Sequence, residues 1–174
     1  MDDRPVLDEL RLEHTVILDV VRRLETSVSA DRDLPLGFVR EAIGFLRTFA
    51  DENHHGKEED ALFPVMRGDE FLASLAEQLG DEHDEARRLV AGIEKALDGG
   101  DARSVSRLVG DYASLIRDHI RREDEMIFNA AEFALSPGDR EALRRGFRVI
   151  EAQALGEGGV AALLERLKRA EESP

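Results

Sequence analysis

The sequence predicts an all-α protein: an up-down-up-down four-helix bundle with two additional shorter C-terminal helices. Three observations predict it. Apolar residues recur at steps of three, four and seven along almost the whole chain, the spacing of one face of an α-helix. Clusters of Gly, Pro, Asp and Ser break that spacing at only a few points. No segment shows the strict apolar–polar alternation of a half-buried strand. Long helices joined by short connections bury their apolar stripes most readily against one another.

The first helix is expected over residues 5–29, with Val6, Leu10, Ile17, Val20, Val21 and Leu24 on one stripe. Asp31-Arg32-Asp33-Leu34-Pro35 reads as a turn in which Asp33 caps the next helix and Pro35 sits in its first turn. The second helix is expected over 35–67, carrying Val39, Ile43, Leu46, Leu62 and Val65, with Pro64 ending or kinking its last turn. The third covers 70–97, with Gly80 marking a bend or a close helix contact. Asp98-Gly99-Gly100-Asp101 stops it, and the fourth covers 102–134 with Val105, Leu108, Tyr112, Leu115, Ile116, Ile127 and Phe128. Ser136-Pro137-Gly138-Asp139 opens a shorter helix over 138–154, and the glycines of 156–159 separate it from a last helix over 160–171. The chain thus divides into a bundle, 1–135, and a helical extension, 136–174, packed on it.

Composition removes several function classes. At 174 residues the chain is long enough to bury one real core. Its net charge is -14, so phosphate backbones and anionic membrane surfaces repel it, and no nucleic acid or membrane partner is expected. It has no cysteine, which excludes disulfides, iron–sulfur clusters, thiolate zinc sites and cysteine nucleophiles. No apolar run approaches the ~18 residues of a membrane span, and Met1-Asp2-Asp3-Arg4-Pro5 does not read as a signal peptide, so the expected compartment is the cytoplasm.

The informative residues are the five histidines, His14, His54, His55, His83 and His119. Three have glutamate four residues on: His54/Glu58, His55/Glu59 and His119/Glu123. The segment from His54 to Phe63 also aligns without gaps on that from His119 to Phe128, matching His, Glu, two acids and Phe, and this pairs His54 rather than His55 with His119. Glu13-His14 likewise matches Glu82-His83. Each half of the bundle therefore has a lone histidine on one helix and His-x-x-x-Glu on the next. Counting from the loops of antiparallel hairpins, the four histidines fall within two to three residues of one level, or ~3–4.5 Å. Glu58 and Glu123 lie one turn along on the same faces.

Four imidazoles and two carboxylates converging inside a bundle need a reason, because unpaired buried carboxylates are costly. A pair of cations removes the cost: two carboxylates bridge two metals and two histidines complete each. Thiolate-free imidazole plus carboxylate suits iron, manganese or zinc. A ferritin-like site is disfavoured, since that fold pairs Glu-x-x-His motifs and only Glu52/His55 has the spacing here.

On these residues the chain resembles the hemerythrin-like (HHE cation-binding) family, over about residues 6–133. The carriers are Glu13-His14, His54-x-x-x-Glu58-Glu59 with Leu62-Phe63-Pro64, Glu82-His83, and His119-x-x-x-Glu123. The resemblance implies His14, His54, Glu58, His83, His119 and Glu123 as metal ligands. It also implies a non-haem di-iron pair, oxo- or hydroxo-bridged, with manganese or zinc as alternatives. The partner would be a small diatomic or peroxide ligand, O2, peroxide or NO, and the protein a monomer or small homo-oligomer. Two departures separate it from the oxygen carriers. Their fifth histidine falls here at Arg87, which puts reversible oxygen carriage in doubt. Their fourth-helix aspartate falls at Asp124, an alternative bridge to Glu123. The pattern is similar to the bacterial subgroup with four histidines and two glutamates. An iron- or redox-sensing module and an enzyme removing peroxide or nitric oxide are the alternatives.

The other residues carry plainer expectations. His55 is read as surface or outside the ligand set. Glu59, Asp60 and Glu125 are read as a solvated acidic face. Glu13, Glu82 and Asp118 point about 100° away from the histidines they precede and are expected in solvent, with orientation of a neighbouring helix's histidine as the alternative. Phe49, Phe63 and Phe128 are core. Tyr112 is a candidate hydrogen-bond donor near the metals, and Arg87 a surface ion pair.

Overall fold

In the computed structural model, which describes residues 5–28 and 34–172, no strand occurs among the described residues. Of the turn expected at residues 31–35, residues 31–33, with the Asp33 cap, lie outside them. Helix α1 spans Asp8–Val28 and α2 Leu36–Phe45. The rod begun by α2 continues as π-helix over Leu46–His55 (π1) and Glu58–Leu62 (π2) and ends as α3, Phe63–Met66. Helix α4 covers Glu70–Asp98, and α5, Ala102–Arg122, runs through π-helix Glu123–Ile127 (π3) into α6, Phe128–Ala134. Helices α7, Pro137–Leu155, and α8, Gly159–Glu172, follow.

Local chemistry sets these boundaries. Asp69 caps α4 by accepting from the Leu72 amide, and Asp101 caps α5 by accepting from Ser104. Ser136 and Asp139 form a reciprocal capping box at the start of α7. Gly156, Gly158 and Gly159 all have positive φ, which a residue with a Cβ adopts only under strain, so they make the turn into α8. Pro64 sits in the rod's last turn, which is the first turn of α3, where its missing N–H is tolerated, and the rod ends two residues on at Met66.

The π-helices are the main departure from the expected periodicity. A π turn bonds i to i+5 and accommodates an extra residue, and it recurs at functional sites. Here π2 begins at Glu58 and π3 at Glu123, and both return to α-helix at a phenylalanine, Phe63 and Phe128. The internal repeat read from the sequence therefore extends to backbone geometry.

The apolar core is split in two. One cluster holds Ile17, Leu24, Phe38, Phe49, Ile93 and Ile116. The other holds Leu10, Leu62, Leu79, Ile127, Phe128 and Phe147. The four repeat-matched histidines fall between them, in a polar layer across the bundle. Helix α7 closes one side: Ile150 lies 3.3 Å from where a Cβ on Gly56 would be, and Ala61 3.2 Å from one on Gly146. Two glycines thus permit close approach of α7 to the π-helical rod. Gly80 makes no close helix contact, since a Cβ there would meet nothing within 4 Å.

Candidate metal centre

Buried histidine nitrogens and carboxylate oxygens meet in the polar layer. His14, His54, Glu58, His83, His119 and Glu123 are each no more than 2% exposed. His14 Nε2 and His54 Nε2 are 3.0 Å apart, and His83 Nε2 and His119 Nε2 are 3.2 Å apart. Glu123 lies between the pairs, its Oε2 3.2 Å from His14 Nε2 and 3.3 Å from His119 Nε2. Glu58 mirrors it, with Oε1 3.7 Å from His54 Nε2 and Oε2 3.3 Å from His83 Nε2. Two overlapping groups result, His14–His54–Glu58–Glu123 and His83–His119–Glu58–Glu123, and either could hold a metal ion.

The fit to cations rests on the carboxylates. All four side-chain oxygens of Glu58 and Glu123 are buried without a hydrogen bond. Such oxygens cost free energy unless something positive lies among them. Two cations, each beside two imidazoles, satisfy all four. Hard carboxylate with borderline imidazole is the donor set of iron, manganese or zinc.

The outward nitrogens explain how the imidazoles are held. Every one of these four histidines has its Nδ1 against a carboxylate: His14 to Asp124 at 2.8 Å, His54 to Glu13 at 2.9 Å, His83 to Glu59 at 2.7 Å and His119 to Glu82 at 2.7 Å. An Nδ1–H donated outward leaves Nε2 as the inward lone pair, and the carboxylate raises its basicity. The repeat sets the wiring. Glu13 and Glu82 hold the histidines of their own halves, while Glu59 and Asp124 reach across to the other half. Asp124 is therefore an orienting group for His14, on the outer side of its ring, and Glu123 is the carboxylate between the imidazoles.

Three of the four orienting carboxylates are backed by a cation. Lys57 Nζ lies 2.6 Å from Glu13, 2.7 Å from Glu9 and 3.0 Å from Glu151 of α7. Arg122 Nη2 is 2.5 Å from Glu82, and Arg87 Nη2 is 2.7 Å from Glu59. Lys57 is fully buried, an unusual place for a lysine, and Asn53 adds a second donor to Glu13 at 3.0 Å. Phe128 stacks on His14 at 5.5 Å and Phe63 on His83 at 5.8 Å, drying the outer faces of two rings.

Without metal these groups share protons unevenly. Burial and the Glu123 carboxylate push Glu58 well above the usual carboxylate range. Burial alone would lower His14, but the carboxylates of Asp124 and Glu123 outweigh it and raise its pKa to about 10. Burial lowers His54 to about 4 against the pull of Glu13. Glu13 would rise on burial, but His54 and Lys57 hold it at about 2.

Several expectations need correction. Glu13 and Glu82 are not solvent-facing; rotation about a helix in a bundle turns them toward the neighbouring helix, where they meet His54 and His119. Glu59 is no free acidic face, because it bridges His83 and Arg87. His55 is buried at 3% exposure and stacks on His83 with centroids 3.8 Å apart. Arg87 does form ion pairs, with Asp51, Glu59 and Asp84, and holds the centre only through Glu59. Asp118, Asp60 and Glu125 are exposed, as expected. Tyr112 is buried and lines a cleft together with His55. Lys57 and Asn53 were missed; a lysine and an asparagine flanking a histidine pair on a charged helix carry no periodicity signal of their own.

A family model, the hemerythrin HHE cation binding domain, matches residues 6–131. Among curated proteins, one from Mycobacterium bovis and one from Mycobacterium tuberculosis, both described as uncharacterized, are each 26% identical over 175 residues, covering 95% of this chain and 69% of their own length. No solved structure gives a significant match. With most of the bundle inside the matched range, the chain belongs to the hemerythrin HHE cation-binding family, and cation binding is the property that membership brings to the His/Glu layer.

Proposed function

We propose that the protein is a non-haem di-iron protein that binds or reacts with O2, peroxide or NO at the metal pair. His14, His54, His83 and His119 are the terminal ligands and Glu58 and Glu123 the bridges. The single observation that carries this reading is the set of four orphaned carboxylate oxygens between two imidazole pairs. An iron pair supplies redox and Lewis-acid chemistry that no side chain here has. The chain's part is to hold Nε2 lone pairs inward, fix each ring through its Nδ1 carboxylate, and keep water out with Phe63 and Phe128. The division into a metal-holding bundle, 1–135, and an extension, 136–174, belongs to the same reading, as do a cytoplasmic setting and a monomer or small homo-oligomer. A sensing role is favoured by one feature. The metal-free centre buries two carboxylates whose oxygens make no hydrogen bond, so loading stabilises the fold and couples it to iron supply.

The direct test is metal analysis of aerobically purified protein with its absorption spectrum before and after dithionite. Two irons per chain and near-ultraviolet absorption that bleaches on reduction are expected. A protein that stays colourless after anaerobic iron loading overturns the di-iron reading.

Proton release gives an independent check. Metal-free, His14 carries its extra proton at neutral pH, and that proton must leave before Nε2 can bind a cation. Uptake at pH 7 is therefore expected to release about one proton per centre, the one held by His14. Calorimetry in buffers of different ionisation enthalpy measures this, and no buffer dependence would refute it. The sign follows from linkage. His14 has a folded pKa raised from 6.5 to about 10, so its stabilisation of the metal-free chain is complete below 6.5 and lost as pH rises through about 10. Metal affinity rises over the same window.

A further inference from the structure

The two halves of the centre are not equivalent, and the difference is concentrated at three positions. The repeat pairs Asp51 with Ile116, His55 with Ile120 and Arg87 with Leu18. Where the half around His14 has three apolar side chains, the half around His83 has an acid, an imidazole and a guanidinium. These three are joined: Arg87 Nε lies 2.8 Å from Asp51 Oδ1, and His55 Nδ1 lies 3.4 Å from the same oxygen. They line a cleft of about 170 Å³ between the π1 rod and α4, walled by Leu46, Val90 and Tyr112. That volume admits a molecule of a few atoms. His55, which lines it, has a ring nitrogen within 4.8 Å of one nitrogen each of His83 and His119. Three polar residues in place of three apolar ones lose packing, and the fold has no need of them, since the mirror half does without.

We infer that this cleft is the binding pocket for the small ligand, which reaches the centre on the His83/His119 side, and that His55 holds the ligand by a hydrogen bond. The inference rests on the metal-centre reading above. The ligand class is a neutral molecule of two to four atoms with a hydrogen-bonding end, because the pocket's charged groups are already paired, Asp51 with Arg87 and Arg47 with Glu94. His55 is set by its stack on His83, and because Asp51 Oδ1 already accepts from Arg87 at 2.8 Å and lies a long 3.4 Å from His55 Nδ1, the ring's one N–H sits on its other nitrogen and is donated to the ligand. On the other side, Ile120 and Leu18 stand at the positions of His55 and Arg87 and offer no hydrogen bond, and the cleft they line holds only charged polar groups, such as Arg121 and Asp124, in place of a neutral imidazole.

The probe is nitric oxide added to the reduced, iron-loaded full chain. The readouts are metal content, the NO dissociation constant from absorption, and the N–O stretching frequency in H2O and D2O. His55→Ile copies the mirror half, so the packing change is one the bundle already accepts. It is expected to keep both irons, weaken NO binding tenfold or more, shift the stretch and abolish its D2O sensitivity. His55→Gln, which keeps a hydrogen-bonding end, is expected to restore most of the affinity, and Ile120→Val on the other side to leave all three readouts unchanged. Val90→Phe narrows the cleft away from His55 and is expected to slow NO association several-fold, which decides the matter if His55→Ile does not fold. Unchanged affinity and stretch in His55→Ile, or an unchanged association rate in Val90→Phe, overturns the inference. Loss of iron in His55→Ile overturns it too, by making His55 a ligand. Wild-type protein that takes up no iron overturns the centre itself, which is a different result.

Discussion

His54→Ala and His119→Ala are each expected to lose the metal of their own pair, and Glu58→Ala to lose both. Each imidazole supplies one of the few nitrogens within reach of its position, with His14 3.0 Å from His54 and His83 3.2 Å from His119. Glu58 is shared between the pairs, with an oxygen facing each. Its loss removes a bridging donor from both positions and leaves Glu123 alone between them. Metal content by elemental analysis reads the result. His55→Ala is expected to retain full metal, since His55 lies beside only one pair and mirrors an isoleucine. Full metal in both His54→Ala and His119→Ala would sink the assignment. Removing an orienting carboxylate is expected to act more mildly: Glu82→Ala lowers metal affinity on the order of 10–100-fold, because the ring keeps its nitrogen but loses its tautomer and direction.

Lys57→Met is expected to destabilise the fold by about 3–5 kcal/mol, the largest effect of any substitution away from the ligands. Lys57 is fully buried, and its ammonium is ringed by Glu9, Glu13 and Glu151. Burial alone would lower its pKa, but Glu13 and Glu9 reverse this and hold it charged. Taking the cation away leaves Glu13 buried and only partly compensated by Asn53 and His54. The variant Lys57→Met/Glu13→Gln is expected to recover a large part of the loss, because a neutral amide oxygen still accepts from His54. Denaturant unfolding of the metal-free forms measures both. A double variant no more stable than Lys57→Met would show that the lysine acts by packing on Phe147, 5.8 Å away, rather than by charge. The same residue ties the extension to the centre, since Glu151 of α7 touches the lysine that supports Glu13, which in turn orients His54.

Much of the bundle was legible in the sequence because burial and periodicity are one fact seen twice. The stripe Leu10, Ile17, Val21, Leu24 had to face inward, and the breakers at 98–101 and 136–139 had to end helices. The meeting of six polar residues was legible as well, through a repeat that places His54 on His119 and Glu58 on Glu123, and it needed only the rise of an α-helix to bring four histidines to one level. Metal affinity follows from residue type.

The tertiary structure alone decided what surrounds those six. A sequence gives the angle of a side chain about its own helix but not the rotation of that helix against its neighbour. Glu13 and Glu82 therefore read as solvent-facing, yet they are the groups that orient His54 and His119. The π-helices lie beyond a 3.6-residue pattern, because an inserted residue shifts the face of everything after it. His55 read as peripheral for a related reason: one position from His54 means about 100° around an α-helix, but in a π-helical rod packed on α4 that direction points at His83. The asymmetry of the centre was written at Asp51, His55 and Arg87 all along; only their meeting in one cleft made it visible.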